Sequence, residues 1–215
     1  MADVKFIKQG YKILGIYKHN GYTEPHDFIA HVARTCYKSE PRTDGADERL
    51  VRSLIKNEHD AMLEHSFMSV KFVTDRAIAN ELVRHRHFSF AQESTRYVNS
   101  SKVGFEFILP SGLTEEQETV MKADCIRSAE HYETLVWLKT APEIARSVLP
   151  LSLATTLVVS GNFREWRHCF KLRCDKHAHP QMRELMTPLL KELKSTVPIL
   201  FDDMGTNDEK EILTD

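Results

Sequence analysis

The apolar residues change their repeat abruptly. Met68, Val70 and Phe72 alternate with polar neighbours, the two-residue period of a half-buried strand. A few residues later Ile78, Ala79, Leu82 and Val83 recur at helical spacing, with Thr74 or Asp75 as the N-cap of a helix running to about Phe88. Strand and helix signals interleave in this way along the whole chain. The expected fold class is therefore α/β (α+β), a mixed sheet with flanking helices.

The remaining elements follow the same logic. Residues 4–17 read as one or two strands broken near Gly10, and Thr23-Glu24-Pro25 opens a helix with Phe28, Ile29, Val32, Ala33 and Cys36 on one face. After a loop over 39–47, Leu50, Val51, Leu54 and Ile55 form the stripe of a second helix. A strand is expected over 103–108, and the capping box Thr114-Glu115-Glu116-Gln117 opens a long helix to about Leu138. Pro142 starts a short helix containing Arg146, and 151–159 reads as a buried strand or apolar run. Asn162-Phe163-Arg164-Glu165 has the spacing of another N-terminal box, with Phe163, Trp166 and Phe170 turned inward. The last helix starts near Pro180 and is expected to break at Thr187-Pro188. With 215 residues, 41% of them hydrophobic, the chain suits a single domain over 1–201 and an acidic, frayed tail over 202–215. It contains neither Gly-x-Gly-x-x-Gly after a strand nor a P-loop, so a flavin or nucleotide would need a non-Rossmann site.

One stretch stands out chemically. Residues 84–97 hold three arginines, two histidines, two serines and a tyrosine between apolar flanks. Guanidinium forks grip phosphates in pairs of hydrogen bonds, and hydroxyls and amides can fix a polar ring. A solvated basic face is the plainer reading of such a cluster. Against it stand the alternation with histidine rather than lysine and the polar Ser94-x-Arg96-Tyr97 that follows. Glu81, Arg84 and His85 are expected to share a helix face. The net charge of -2 gives no bulk attraction for nucleic acid, so a mononucleotide fits the compact cluster better than a polymer does.

Other chemistries are less well supported. The four cysteines show no disulfide framework, and no long apolar run suggests a signal peptide or membrane span, which points to reduced thiols in a cytoplasmic (intracellular) protein. Cys169, Cys174, His177 and His179 lack the spacing of a zinc site, and no metal is expected. None of the thiols has a helix N-terminus or base beside it, so no cysteine nucleophile is expected. Arg146 and Arg173 read, on their own, as surface or helix-end charges.

Three blocks together resemble the flavin-dependent thymidylate synthases. They are His59 with Glu64-His65; Arg84-His85-Arg86 through Ser94-x-Arg96-Tyr97; and Ala145-Arg146-Ser147-Val148-Leu149-Pro150 with Asn162-x-Arg164, Trp166-x-His168 and Arg173 followed by His177-Ala178. The resemblance implies a homotetramer with shared active sites. It implies reductive methylation of dUMP to dTMP, with methylenetetrahydrofolate as carbon donor and FADH2, reloaded by NADPH, as hydride donor. The alternative is a non-catalytic module that binds nucleotides or single-stranded nucleic acid. By position, Arg173 should be catalytic, stabilising the deprotonated uracil. Glu81, Arg84, Gln92, Glu93, Ser94, Thr95, Arg96 and Arg146 should join Arg173 around dUMP. His59, Ala61, Arg84, His85, Arg86, Asn162, Phe163, Arg164 and His168 should hold FAD. Three positions depart from the family pattern: Glu81 replaces a frequent glutamine, Ala61 a hydroxyl residue and His168 an asparagine.

Overall fold

A computed structural model describes residues 2–205 except 37, 42, 98 and 99. The strands are β1 (Val4–Phe6), β2 (Gly10–Ile16), β3 (Phe67–Asp75), β4 (Ser89–Gln92), β5 (Phe105–Phe107) and β6 (Ala154–Asn162). The helices are α1 (Pro25–Thr35), α2 (Ala46–Lys56), α3 (Arg76–Leu82), α4 (Ser100–Val103), α5 (Glu115–Trp137), α6 (Pro142–Ala145), α7 (Phe163–Arg173), α8 (Pro180–Thr196) and α9 (Pro198–Phe201). Single 3-10 turns cover Asp60–His65 and Arg146–Val148. One sheet has the order β2-β3-β6-β4, and β1 pairs with β5 in a second, parallel one. The mixed α+β class expected from the changing periods is the one observed. No helix among the described residues is long and apolar enough to cross a membrane.

Two compact units emerge from the chain's contacts: Met1–Lys12, Lys71–Arg84 and Phe90–Val158 form the first, and Ile13–Val70, His85–Ser89 and Val159–Asp215 the second. In the first, Phe105, Phe107, Cys125, Ala129, Tyr132, Ala145 and Leu153 make the core. Tyr132 presents its ring edge to Phe105 at 5.4 Å. The register sets Val4 opposite Phe105 and Phe6 opposite Phe107. The expected strand over 103–108 shrinks to β5 because α4 occupies the residues before it. Gly104 leaves α4 in the left-handed region (φ 85°), and a Cβ there would lie 3.0 Å from the Asp3 carboxylate.

In the second unit the aromatic face of α7 is the core. Phe163 and Phe170 pack against Phe201 at 5.9 and 5.7 Å, and Trp166 meets Phe170 at 5.8 Å. The helix starts where Asn162 accepts a hydrogen bond from the Glu165 N–H at 2.9 Å. Helix α8 continues through Pro188 instead of breaking there. Met186, Leu189, Leu190 and Leu193 are all buried. At roughly 1.5–3 kcal/mol per buried side chain they outweigh the roughly 3 kcal/mol that an interior proline costs. Asp202 and Asp203 are held by Arg52 and Arg167, and 206–215 lie outside the described residues.

The helix expected to reach Phe88 ends at Leu82. Asp75 caps its start, accepting from the Ile78 N–H at 2.8 Å. Arg84 and His85 therefore lie past the helix, not on a face shared with Glu81, and Ser89 onward forms β4. Tertiary packing explains the early end. Phe88 is buried with its ring 4.5 Å from Trp166, and the space it fills is the space above Gly161. A Cβ at Gly161 would stand 2.2 Å from Phe88 Cδ1. Gly161→Ala should therefore destabilise the protein by about 1–3 kcal/mol through overpacking. Urea denaturation reads this directly, and Phe88→Leu in the same chain should recover part of the loss; an unchanged midpoint for Gly161→Ala would remove the packing argument.

Candidate functional site

The first unit gathers one set of polar residues around the turn at 93–96. Glu93 bonds to β6 twice, its N–H donating to the Thr156 carbonyl at 2.8 Å and its carboxylate accepting the Thr156 N–H at 3.3 Å. The Ser94 hydroxyl accepts the Arg96 N–H at 3.2 Å, which curls the turn. Arg146 donates to the Thr95 hydroxyl at 3.1 Å, and Arg96 pairs with Glu143 at 3.0 Å. Gln92 lies 3.4 Å from the Thr155 hydroxyl. Two exposed guanidiniums and two hydroxyls thus converge on one short turn, a set of donors suited to a phosphate. In solvent their mutual pairs are weak, so an incoming dianion can displace them.

Arg76 completes this group, although the sequence reading assigns it no role. Its Nη2 donates to the Glu93 carbonyl at 3.3 Å, and its buried Nε has no hydrogen-bond partner. Burial lowers its pKa, the Glu93 carboxylate raises it and Arg146 lowers it, so all three charges belong to one field. A signal existed: a cation in the first turn of a helix opposes the helix dipole and calls for another reason to be there. Glu81 and Arg84 belong to the same unit, with the Arg84 N–H bonded to the Glu81 carbonyl at 3.3 Å.

The second unit gathers the other set. Asn162, Arg164 and His168 line one cavity of about 470 Å³ with His87, Arg167, Lys171 and the acids Asp60, Glu64 and Glu165. Arg164 pairs with Glu64 at 2.5 Å and also borders a second cavity of about 450 Å³, walled by His59, Ala61, Leu50, Leu54 and Met62. One cavity is thus rich in donors and the other largely apolar. Such a pair suits a ligand with a diphosphate at one end and a flat ring at the other. The Phe163 side chain, in contrast, is fully buried against Phe201 and offers a ligand no surface. Arg86 is exposed.

His85 lies beneath the surface, only 5% exposed. Arg173 Nε donates to its Nε2 at 3.0 Å, and Glu165 Oε1 lies 3.3 Å from its Nδ1. His168 stands edge-on at 6.1 Å. Burial, then the positive charge of Arg173, then His168 pull the His85 pKa down to about 4. The sequence spacing makes Glu165 half of a capping box. Asn162 forms its half of that box, while the Glu165 carboxylate turns to His85.

Thiol chemistry finds no support. Burial raises the pKa of Cys125 and of Cys169, and pushes Cys174 up to about 11. Cys36 is exposed. Among the described residues no group of three or more His, Cys, Asp and Glu is placed to hold a metal ion.

Comparison with known proteins agrees with this chemistry. A family model described as thymidylate synthase complementing protein matches residues 20–199. A flavin-dependent thymidylate synthase of Corynebacterium aurimucosum is 34% identical over 205 residues, which cover 85% of this chain and 81% of that one. Its counterpart in Corynebacterium diphtheriae is 31% identical over 207 residues, covering 86% and 81%. That of Mycobacterium marinum is 33% identical over 201 residues, covering 81% and 78%.

The lowered His85 pKa has a measurable consequence. Unfolded, the imidazole returns to its ordinary value of 6.5; folded, it titrates near 4. Between these values the unfolded chain binds more protons, so stability is full above about 6.5 and falls as the pH drops towards 4. The loss from this group is at most about 3 kcal/mol. Denaturation at pH 7 and at pH 4.5 should give a larger difference for the native chain than for His85→Gln; equal differences would mean that His85 is not held neutral.

Proposed function

The chain belongs to the thymidylate synthase complementing protein family, that of the flavin-dependent thymidylate synthases, and on this premise we propose that it converts dUMP to dTMP by reductive methylation. The observation that carries the reading is the meeting of Ser94, Thr95, Arg96 and Arg146 at one turn, while burial raises the pKa of the Cys125, Cys169 and Cys174 thiols. That turn binds the dUMP phosphate, with Arg96 and Arg146 as charged donors and the Ser94 and Thr95 hydroxyls beside them. Gln92, Glu93 and Arg84 complete the nucleotide side, and Glu81 braces Arg84 through its carbonyl. Arg173 stands at the uracil, where its guanidinium stabilises the ring deprotonated at N3 and so makes C5 a better nucleophile.

The donor-rich cavity fits an anionic dinucleotide, so Arg164, His168 and Asn162 hold FAD, with His59 and Ala61 at the flat ring in the neighbouring cavity. When bound, reduced flavin supplies the hydride that takes the transferred carbon to a methyl group. Methylenetetrahydrofolate brings that carbon and leaves as tetrahydrofolate, and NADPH restores the flavin. The two cavities, about 470 and 450 Å³, are taken up by FAD alone on this reading, which leaves the folate and NADPH to be accommodated elsewhere. This favours a homotetramer whose subunits complete each other's sites. The enzyme works in the cytoplasm, in keeping with four free cysteines.

Nucleotide and flavin sets divide between the two compact units, apart from Arg173 and Arg84. Arg96→Ala should weaken dUMP binding by about 1.5–3 kcal/mol, the worth of a charge-assisted hydrogen bond, and leave FAD content nearly unchanged. Arg164→Ala should do the reverse. Titrating both ligands into both variants decides the division: equal losses of both ligands in each variant would dissolve it. Arg173→Ala should retain FAD yet lose about 3–4 kcal/mol of transition-state stabilisation. Tritium release from the C5 position of dUMP measures this, and near-normal release would return Arg173 to a surface role.

A further inference from the structure

We propose that Glu165 is a positioning residue that acts through His85 to aim Arg173. The inference rests on the reading of Arg173 given above and extends it to Glu165, a buried carboxylate that also borders the donor-rich cavity. Three observations carry it. His85 Nε2 accepts a hydrogen bond from Arg173 Nε at 3.0 Å, so that nitrogen bears no proton. The ring proton must then sit on Nδ1, and Nδ1 faces Glu165 Oε1 at 3.3 Å. His85 and Glu165 are both buried, at 5% and 7% exposure, which keeps water from substituting for either partner.

A carboxylate can only accept hydrogen bonds, so Glu165 selects the tautomer with the proton on Nδ1. The opposite tautomer would point an N–H at the N–H of Arg173. The arrangement fixes the guanidinium by one edge, Nε. It also explains why Glu165 leaves the helix N-terminus that its spacing suits: Asn162 alone caps α7, and the carboxylate is turned to His85. The capping role would be satisfied by exposure at the helix start, whereas Glu165 is buried. The common alternative, a buried acid that merely pairs a buried base, requires neither a particular tautomer nor any link to turnover.

Two measurements test the inference. Nitrogen-15 spectra of histidine-labelled wild-type protein should show His85 as the neutral Nδ1–H tautomer at neutral pH. The Nε2–H tautomer would overturn the proposal whatever any variant does. Turnover is then compared in Glu165→Met, which keeps the length but cannot accept, and Glu165→Gln, whose amide oxygen still can. Glu165→Met should lower kcat at least tenfold, with KM for dUMP and FAD content within about twofold of wild type and the melting temperature not reduced. Glu165→Gln should keep kcat within about threefold. Normal kcat in Glu165→Met overturns the proposal. So does a loss of kcat that runs in parallel with FAD content or melting temperature, which marks a structural role. If Arg173→Ala turns over normally while Glu165→Met still disturbs the His85 tautomer, the relay stands and the role of Arg173 at uracil falls.

Discussion

The insertion of Phe88 between Trp166 and the bare backbone at Gly161 governs the central stretch of the chain. Phe88 can fill that space only if the chain abandons α3 soon after Leu82. The turn that results drops His85 inward, where Glu165 and Arg173 meet it, and the Phe88 N–H closes it on the His85 carbonyl at 3.2 Å. Had the helix run on, His85 would fall on the face of Ile78 and Leu82 instead of in the turn where Glu165 and Arg173 meet it. A packing event of the hydrophobic core thus determines which polar side chains become buried, and so which of them have shifted chemistry.

What could be read from the sequence was local. Thr114 and Gln117 form their reciprocal capping box because both partners lie within one turn, and α5 starts where they predict. The inward face of Phe163, Trp166 and Phe170 likewise follows from helical spacing alone. The convergence of Thr95 and Arg146 was legible only through the family resemblance, since their hydrogen bond joins positions far apart in the chain. Three features were illegible for the same reason. The end of α3 depends on Gly161, the persistence of α8 through Pro188 on a wall of buried leucines, and the direction of Glu165 on a histidine in a distant segment. In each case a distant partner overrode a local preference that the sequence stated correctly.

The two polar clusters differ in kind. Around the 93–96 turn the pairs are exposed and exchangeable: Arg96 and Glu143 are both about half exposed, and such a pair contributes at most about 1 kcal/mol. On the proposed reading its worth lies in keeping guanidiniums near one place until a stronger anion arrives. Beneath the surface of the second unit the pairs are buried, so breaking one leaves an uncompensated polar group at a cost of several kcal/mol. Ligand capture suits the first arrangement and fixed orientation suits the second.

That difference bears on why an imidazole separates Glu165 from Arg173. A carboxylate in direct contact with the guanidinium would orient it equally well. It would also cancel much of the positive charge that we propose faces a deprotonated uracil, because attraction at contact distance in a poorly hydrated site is strong. The interposed neutral ring keeps the negative charge a ring's width away and passes on only direction, through a donor and an acceptor on opposite edges. The ring must be neutral for this, since a protonated imidazole has no lone pair to offer Arg173. Burial and the neighbouring guanidinium, which hold the His85 pKa near 4, are therefore the same features that keep the relay intact.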